Sequence, residues 1–480
     1  MSFDCIVIGA GPAGLFFADR FMTAAPFATI AVVDAGVPVG RRSCPLVDSG
    51  SCSQCRTCLA VYGGGGAGMY SDGKLSAYPA GSGLAAHLGS EERTIALNSE
   101  VLETITGAES GSIRATRARD ASGSELAHSA QAADIDLKSY DVAHLGSEGI
   151  QDFCIRYEDA LVSRGVDFRW RHRAMAVERN DGGFQLRVEH PSQGLSVLQA
   201  RQIVFATGKA SGTALRSMLA ALGVSSRFNA IELGVRVEVP RDAVTPISAC
   251  HLDAKIKMTG EDGCEMRTFC MCDGGYLVSC YYDGFGQGKR ICTISGYSLR
   301  DHKSDTSNFG LLVRKRFPAH VDPIAMQIPI IQAINLASGH GGTVVQRLED
   351  FLARRPTSEE RLATNSVRTT LASSRPFDLN WLLPGYVVEN VRAAIERLGA
   401  LSPKIAEGDT LLHAPVWELV NDKPQVDDHF ETNVPGVYVI GDATGIARGI
   451  VQGASIGIVA AERAAARAVN AGAHYRSAVS

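Results

Sequence analysis

This 480-residue chain lacks several features that would assign it to a common class of protein. Its first residues, MSFDCIVIGAG, show no basic region and no cleavage site, so we expect no signal peptide. No uninterrupted apolar run is long enough to span a bilayer, and we expect no membrane partner. The formal net charge of −4 gives no electrostatic reason to expect nucleic acid as a partner. These absences favour a globular cytoplasmic protein with a small-molecule substrate.

A glycine-rich turn near the N-terminus is the strongest motif. Residues 4–9, DCIVIG, have the pattern of a buried parallel strand, and GAGPAG then supplies Gly9, Gly11 and Gly14 ahead of a helical stretch. The next buried strand ends at Asp34, twenty residues after Gly14. In a dinucleotide fingerprint these glycines permit a tight turn, close approach of a pyrophosphate and close helix packing, while the acid binds a ribose. The helix N-terminus favours the phosphates.

A second motif near the C-terminus indicates FAD rather than NAD. The strand VYVI ends at Gly441-Asp442 and precedes an alanine-rich helix. A buried carboxylate needs a partner, and in FAD enzymes of the glutathione-reductase superfamily the ribityl chain supplies it. A third strand, IVFATGKASG at 203–212, is a typical return point near the same cofactor. The predicted FAD contacts are Gly9, Gly11, Pro12, Ala13, Gly14, Asp34, Ala35, Arg42, Ala174, Thr207, Gly208, Gly441, Asp442, Gly449 and Ile450.

Several further segments together resemble one family of proteins. They are YGGGGAGMYSDGKL (62–75), IELGVRVEVP (231–240), MRTFCMCDGGYLV (266–278), TISGYSLRD (293–301) and GDATGIARGIVQGASIG (441–457). The chain is similar to poorly characterised, mostly bacterial FAD-dependent dehydrogenases with a cysteine-rich segment after the first βαβ unit. The resemblance implies FAD and a two-domain flavoprotein, and it implies no particular substrate.

The expected fold is α/β, with a Rossmann-like FAD-binding domain of the glutathione-reductase type. We expect this domain to be discontinuous, over 1–85, 145–225 and 400–480. An inserted α+β substrate domain, built on an antiparallel sheet, should occupy 226–399, where short strand patterns alternate with turns. The polar stretch 86–144 shows no clear periodicity and is predicted to be a surface excursion with some helix.

Two charged residues are the candidate catalytic groups. FAD itself would carry the hydride or electrons. Arg448 would place a charge near the reduced flavin or an anionic substrate, and Lys74 follows a glycine run that must pass close to something. Because there is only one fingerprint, electrons would come from the substrate, from transiently bound NAD(P)H or from a redox partner protein.

The expected function is that of an FAD-dependent dehydrogenase or reductase acting on a small organic substrate. Two alternatives stay open. One is a flavoprotein monooxygenase that uses NAD(P)H and O₂. The other is an FAD-containing scaffold that is non-catalytic or serves RNA modification.

Four of the twelve cysteines lie in one short segment, CPLVDSGSCSQCRTC. Without a secretory signal, clustered thiols more often bind metal or do redox work than form structural bridges. Cys44, Cys52, Cys55 and Cys58 could supply the ligands of a zinc ion or a [4Fe–4S] cluster, which is slightly favoured. A flavin-linked redox thiol or disulfide, or a set of unligated thiols, remains possible at this spacing.

Overall fold

The computed structural model describes residues 2–107, 125–138, 140–210, 212–283, 290–418 and 421–479. The β-strands, numbered in chain order, are β1 Ser2–Ile8, β2 Ile30–Asp34, β3 Lys74–Ser76, β4 Asp136–Lys138, β5 Val142–His144, β6 Asp167–Trp170, β7 Arg173–Asn180, β8 Gly183–His190, β9 Gly194–Phe205, β10 Ser226–Arg227, β11 Ile231–Pro240, β12 Lys255–Thr259, β13 Glu265–Cys272, β14 Tyr276–Tyr282, β15 Ile291–Tyr297, β16 Thr306–Lys315, β17 Val344–Arg347, β18 Arg375–Pro376, β19 Leu411–Glu418, β20 Lys423–Pro424 and β21 Val437–Val439.

The α-helices are α1 Pro12–Ala24, α2 Pro45–Ser49, α3 Gly83–Leu88, α4 Glu91–Thr106, α5 Glu125–Ala132, α6 Gly146–Ser163, α7 Gly212–Ala221, α8 Thr245–Ser248, α9 Pro323–Ala337, α10 Leu348–Leu352, α11 Glu359–Ala363, α12 Leu379–Leu382, α13 Gly385–Leu401 and α14 Ile450–Val479. Short 3₁₀ helices lie at Val39–Arg41, Gly66–Tyr70, Arg241–Val244, Pro403–Ala406 and Gly441–Thr444. In the described part of the chain, none of these helices has the length and apolar character needed to cross a bilayer.

The first sheet surrounds the N-terminal strand with parallel neighbours. Its order is β6-β2-β1-β9-β8-β7, and β21 pairs with the C-terminal half of β9. Strand β1 pairs in parallel with β2 and with β9, so the carboxyl ends of β1, β2, β9 and β21 lie at one edge. Ligands of open α/β sheets bind beyond this edge.

Helices α1 and α14 cover one face of this sheet and pack closely on each other. A Cβ placed on Gly457 of α14 would lie 2.2 Å from the carbonyl oxygen of Ala13. The close approach of the two helices therefore requires glycine at position 457.

The second sheet is mostly antiparallel, with the order β18-β17-β19-β11-β16-β13-β12-β4. Strand β11 lies near its centre, between β16 and β19. One face of β11 carries Leu233, Val235, Val237 and Val239, which pack in the same core as the buried side of α13. Its other face carries charged residues that are also buried.

This sheet extends beyond the predicted range 226–399. Strand β19, at 411–418, pairs with β11 and β17, although the sequence placed 400–480 in the FAD-binding domain. Strand β4 joins the opposite edge by pairing with β12. The apolar sequence LLHAPVW of β19 needs ladder partners for its buried backbone groups, and β11 supplies them.

The predicted surface excursion, 86–144, contributes to the core. Helix α4 buries Leu97, Val101 and Ile105, which recur every four residues and pack in the core shared with α14. The Ser455 hydroxyl donates to the Oδ1 of Asn98 across this contact (2.9 Å). The rest of the predicted excursion includes 108–124 and 139, which lie outside the described residues.

Candidate functional site

The turn after β1 contains two glycines that the fold requires, Gly9 and Gly14, and one that it does not require, Gly11. Gly9 has a φ of +112°, and a Cβ there would lie 2.4 Å from the carbonyl oxygen of Ala206. A Cβ on Gly14 would lie 2.0 Å from the carbonyl oxygen of Gly9. Gly11, by contrast, has an extended backbone and would place a Cβ no closer than 3.8 Å to any atom, the Cα of Gly66. Gly11 therefore leaves open space before the N-terminus of α1.

Asp34 ends β2 beside this turn and is oriented by backbone amides. Its Oδ2 accepts from the amide of Ala10 (2.9 Å) and its Oδ1 accepts from the amide of Gly36 (2.8 Å). The side chain is half-buried, so lone pairs remain for a ligand. The amide of His172 donates to the Asp34 carbonyl (2.9 Å), which brings the segment leading to Ala174 beside the same acid.

Segments that are far apart in sequence meet at the turn. A Cβ on Gly66, in the glycine run, would lie 2.9 Å from the Cα of Gly11. A Cβ on Gly441 would lie 2.8 Å from the Cβ of Ala13. The structure thus brings together the N-terminal glycine turn, the glycine run and the C-terminal Gly-Asp motif. The Gly68 backbone closes the group, because a Cβ there would lie 3.3 Å from Ile450.

Arg42 holds the glycine run in place. The side chain is buried, with 4% exposed, and its Nη1 donates to the carbonyls of Gly64 (2.6 Å) and Gly66 (2.7 Å). Its Nε donates to the carbonyl of Leu59 (3.1 Å). Burial lowers the pKa of Arg42 from its ordinary value. Arg42 therefore positions the loop beside Gly11, and its predicted contact with FAD stays a prediction.

A polar pocket lies at the C-terminal motif. It is lined by Lys209, Asn229, Glu418, Asn421, Asp442, Gly445 and Arg448. The Nδ2 of Asn229 and the Oδ1 of Asn421 are buried and have no hydrogen-bond partner among the described residues. The other amide atom of Asn421, Nδ2, donates to the carbonyl of Gly208 (2.9 Å), which fixes the orientation of the side chain. The pocket thus presents one unused donor and one unused acceptor to a ligand.

Asp442 is the acid of this pocket. Burial raises the pKa of its carboxyl to about 6, while the nearby charge of Arg448 opposes the increase. The carboxylate also accepts a hydrogen bond from the backbone of Gly449, just before α14 begins at Ile450. Asp442 therefore changes charge near neutral pH, and a ligand that donates hydrogen bonds to it would favour the ionised form.

Arg448 lines the pocket but is not an isolated charge. Its Nη2 donates to Glu232 (2.9 Å) and its Nη1 to Glu418 (3.3 Å). Glu418 also accepts from the Nζ of Lys209 (2.7 Å), and Glu232 from Arg267 (2.5 Å). Arg448, which was predicted to be a single positive charge, is thus the centre of a series of ion pairs that extends from the pocket into the second sheet.

Glu232 is the more buried of the two glutamates in this series of ion pairs, with 1% of the residue exposed. Burial alone would raise its pKa, but Arg267 and Arg448 outweigh that effect and hold the pKa well below its usual range. The sequence prediction did not include Glu232, Glu418 or Arg267. The available signal was IELGVRVEVP, where charged residues alternate with apolar ones in a strand.

Lys74, the second predicted catalytic residue, does not line this pocket. Its ammonium group lies 3.3 Å from Asp72 and 3.8 Å from Asp253, and it donates to the carbonyl of Met271. Burial alone would lower the pKa of Lys74, but the two carboxylates outweigh that effect and the pKa is raised. The structure brings Lys74 beside β13, and a role next to a flavin stays a prediction.

The four thiols of the cysteine-rich segment are not gathered around one point in this structure. The ligands of a tetrahedral zinc ion lie within about 4 Å of one another. In the described part of the chain, the only group of three or more candidate ligand atoms within 4.8 Å of one another is Asp72, Cys270 and Cys272. Cys44, Cys52, Cys55 and Cys58 do not form such a group, and the zinc site predicted for them stays a prediction. All four are free thiols, and an iron–sulfur cluster or redox thiol there stays a prediction.

Comparison with known proteins supports the cofactor assignment. Residues 230–416 match the family described as FAD-dependent protein, C-terminal domain-like. The resemblance to FAD-dependent proteins is thereby confirmed. A protein of Clostridium beijerinckii described as uncharacterized is 23% identical over 495 residues, covering 95% of this chain and 80% of that protein.

Two solved structures are distantly similar to this chain. A flavoprotein/dehydrogenase from Cytophaga hutchinsonii is 12% identical, with 98% of this chain and 78% of that chain covered and a TM-score of 0.40. A geranylgeranyl bacteriochlorophyll reductase-like protein from Thermoplasma acidophilum is 11% identical, with 98% and 79% covered and a TM-score of 0.40. We draw nothing about the reaction from similarity at this level.

Proposed function

We propose that the chain is an FAD-dependent oxidoreductase, a dehydrogenase or reductase that acts on a small polar organic substrate. The observation that carries the proposal is the meeting of Gly11, Gly66 and Gly441 at the carboxyl edge of the parallel strands. Three backbone segments that meet at this edge can contact a long, extended ligand at several points. The family match over residues 230–416 supports FAD as that ligand.

The residues present fit FAD in two respects. Space is open at Gly11, where a pyrophosphate could approach the free amides at the N-terminus of α1. The pocket at Asp442 contains an unpaired amide donor and an unpaired amide acceptor, which a polar ligand would satisfy. A glutathione-reductase type of FAD-binding domain is the arrangement that we propose for these segments.

Each part of the cofactor would have a separate set of contacts. Asp34 would accept from the adenosine ribose, and the backbone near Ala174 would contact the adenine. The amides of Gly11, Ala13 and Gly14 would hold the pyrophosphate, and Asp442 would accept from the ribityl chain. The backbone of Thr207 and Gly208 would line the same channel. The N-terminus of α14, at Gly449 and Ile450, would direct its positive end toward the flavin.

When bound, FAD supplies the two-electron acceptor or donor that no side chain can provide. The side chains bind and orient the substrate and set the local charge. Lys209 and Arg448 contribute two positive charges to the pocket, and Glu418 and Asp442 contribute two negative charges when ionised. This balance favours a polar substrate with little net charge. Asp442, with a pKa of about 6, can hold or release a proton near neutral pH.

The proposal is tested first by the FAD content of Gly11→Val. Valine at this extended position fits the fold but fills the space above α1, so the purified variant should lose FAD and melt at the same temperature as the FAD-free wild type. Gly40→Val is the control, because Gly40 is exposed and a Cβ there meets nothing within 4 Å. The wild type and the control should retain about one FAD per chain. Full occupancy in Gly11→Val would overturn the assignment of this turn.

A second measurement addresses the reaction. The reduced and oxidised protein would be mixed anaerobically with candidate polar metabolites while the flavin absorbance is followed. Reduction or reoxidation by such a compound supports a dehydrogenase or reductase. A flavin that reacts only when O₂ and NAD(P)H are supplied together, with an oxygenated product, would replace the proposal with a monooxygenase.

A further inference from the structure

Cys270 and Cys272 lie on an irregular part of β13, outside the pocket described above. The register between β13 and β16 shifts between Phe269 and Cys272, and Cys270 has a φ of +49°. This left-handed conformation is unusual for a residue other than glycine. In a regular strand, side chains two residues apart point to the same face but lie about 7 Å from each other. The left-handed backbone at Cys270 instead brings the two Sγ atoms to 3.6 Å from each other.

Arg236 of β11 faces the two sulfurs from the centre of the second sheet. It is fully buried, and its Nη2 donates to the Sγ of Cys272 (3.4 Å) and to the carbonyl of Cys270 (2.7 Å). Its Nη1 has no hydrogen-bond partner among the described residues. A Cβ on Gly296 would lie 1.9 Å from the Nη2 of Arg236, so the absence of a side chain there makes room for the guanidinium.

Other charged groups around the pair balance each other. Asp72 lies with the two sulfurs in one compact group, and its carboxylate is paired with Lys74 (3.3 Å), which also contacts Asp253 (3.8 Å). Lys303 adds a further positive charge near Cys272. The positive charges of Lys74 and Lys303 make the group of Asp72, Cys270 and Cys272 unfavourable for a divalent metal ion, although its three ligand atoms are close enough. The same cations favour a thiolate.

We propose that Cys270 and Cys272 form a dithiol that a hydroperoxide oxidises to an intramolecular disulfide, with Cys272 as the attacking sulfur. The pKa of Cys272 is lowered by the hydrogen bond from Cys270 and by the charge of Arg236, against the effect of burial. The pKa of Cys270 is raised by the same hydrogen bond and by burial. A hydroperoxide is the fitting oxidant, because Cys272 is fully buried and a large disulfide could not reach it.

The oxidation has two steps, which together conserve atoms and electrons. The Cys272 thiolate attacks the terminal oxygen of the hydroperoxide, an S–O bond forms, and the O–O bond breaks to release an alkoxide or hydroxide that takes up a proton. The Cys270 sulfur then attacks the Cys272 sulfenic acid, the S–S bond forms and the S–O bond breaks. The hydroxide leaves as water with the proton of Cys270. Two electrons pass from the two sulfurs to the peroxide.

The test uses the full-length protein, reduced and freed of reductant without air. Stoichiometric hydrogen peroxide is added, remaining thiols are alkylated, and tryptic peptides are weighed. Cys270, Cys272 and Cys280 fall in one peptide, residues 268–289, so Cys280 is an internal control. We expect the oxidised peptide to carry one alkyl group, at Cys280, whereas the reduced peptide carries three. After the mass of the alkyl groups is subtracted, the oxidised peptide should be about 2 Da lighter, because two thiol hydrogens are lost.

Variants separate the roles of the two sulfurs. In Cys270→Ser, a sulfenic acid should accumulate at Cys272 and react with dimedone, whereas Cys272→Ser should lose the rapid reaction. Arg236→Lys should retain more of the rate than Arg236→Gln, which should react at least about tenfold more slowly. Cys264→Ser is the matched control. Cys264 is buried just before β13, has a raised pKa because of burial, and should not affect the rate.

Three outcomes would overturn the proposal. Equal alkylation of Cys270, Cys272 and Cys280 after peroxide would show that the pair has no special reactivity. A disulfide from either sulfur to another cysteine would show that the two are not partners. One zinc ion per chain, lost in Cys272→Ser, would make the pair metal ligands instead.

Discussion

Strands β1 and β11 lie at the centres of the two sheets and are both buried, but they are built differently. In β1, Cys5 and Val7 face one apolar core while Ile6 and Ile8 face another. In β11, Leu233 and Val235 face an apolar core, whereas the opposite side carries Glu232, Arg236 and Glu238. The first strand offers a ligand only the backbone at its end. The second offers charged side chains along its length.

This difference assigns separate tasks to the two sheets. A parallel strand buried on both faces can present amides at a tight turn, and that suits phosphate and ribose groups. A strand with charges on one buried face must pair every charge, because an unpaired buried charge is costly. The second sheet meets this requirement for the two acids, with ion pairs at Glu232 and with four hydrogen bonds to Glu238 from Thr306, Thr370 and His413. The guanidinium of Arg236 is held by hydrogen bonds to Asn308 and to the carbonyl of Cys270 instead.

The largest expected effect tests the backbone task of the first sheet. In Gly14→Ala, the new Cβ would lie 2.0 Å from the carbonyl oxygen of Gly9, and the backbone of the turn cannot move away without breaking the contact of α1 with β1. We expect a loss in the free energy of unfolding of at least about 5 kcal/mol, or no folded protein. Chemical denaturation measures it, with Gly40→Ala as control. A Gly14→Ala protein of normal stability would mean that this turn is not as closely packed as described.

The next largest effect tests the charged face of β11. Glu232→Gln leaves Arg267 and Arg448 without their shared carboxylate, and breaking a buried pair costs about 3–5 kcal/mol. Glu265→Gln is the matched control, since that carboxylate is 39% exposed and its pairs are worth at most about 1 kcal/mol. Denaturation at pH 7 compares the two variants.

The pH dependence of the same pair has a defined sign. Because the pKa of Glu232 is lowered on folding, its stabilisation is present above the ordinary glutamate pKa and declines as the pH falls below it. The difference between wild type and Glu232→Gln should therefore shrink below about pH 4. A difference that is constant from pH 7 to pH 3 would contradict the ion-pair explanation.

Asp442 gives a smaller effect, on affinity rather than folding. Its pKa is raised to about 6, and the proposed ribityl contact needs the ionised form. The dissociation constant of FAD should then rise as the pH falls below 6, by at most about tenfold per pH unit. In Asp442→Asn this dependence should disappear. Fluorescence titration of apoprotein with FAD measures both, and an equal pH dependence in wild type and variant would exclude Asp442 as the responsible group.

The smallest effect is expected in the cysteine-rich segment. Cys52 and Cys55 are half-buried and do not converge on a single-ion site with Cys44 and Cys58. The double variant Cys52→Ser, Cys55→Ser should change the free energy of unfolding by less than about 0.5 kcal/mol. Thermal unfolding and metal analysis of anaerobically purified protein check this. Loss of bound iron together with a large drop in stability would instead establish the predicted cluster.

Local patterns predicted the first sheet better than the second. The turn at Gly9 and the acid at Asp34 lie within one βαβ unit, so a single stretch of sequence contains the whole signal. The partners Glu232 and Arg448 are 216 residues apart, and no local pattern links them. Some helix was predicted within 86–144, but the core packing of α4 was missed because Leu97, Val101 and Ile105 stand among polar residues, although their spacing of four is helical.

The cysteines show the same limit. The high density of cysteines in the sequence favoured a site at Cys44–Cys58. Cys270 and Cys272, only two residues apart, were treated as part of an ordinary strand. In a regular strand such residues share a face but lie about 7 Å apart, and the bulge brings their sulfurs closer together. A bulge depends on long-range packing, here against Arg236 of another strand, which the sequence alone does not contain.

The contact between α1 and α14 also sets an order of events during synthesis. Helix α1 leaves the ribosome before α14, and Gly457, which packs on Ala13, follows it by more than 400 residues. At about 5–20 residues per second, the interval is roughly 20–90 s. Throughout it the apolar side of α1 lacks its native cover. The glycine turn before α1 is therefore made well before the helix that completes its packing.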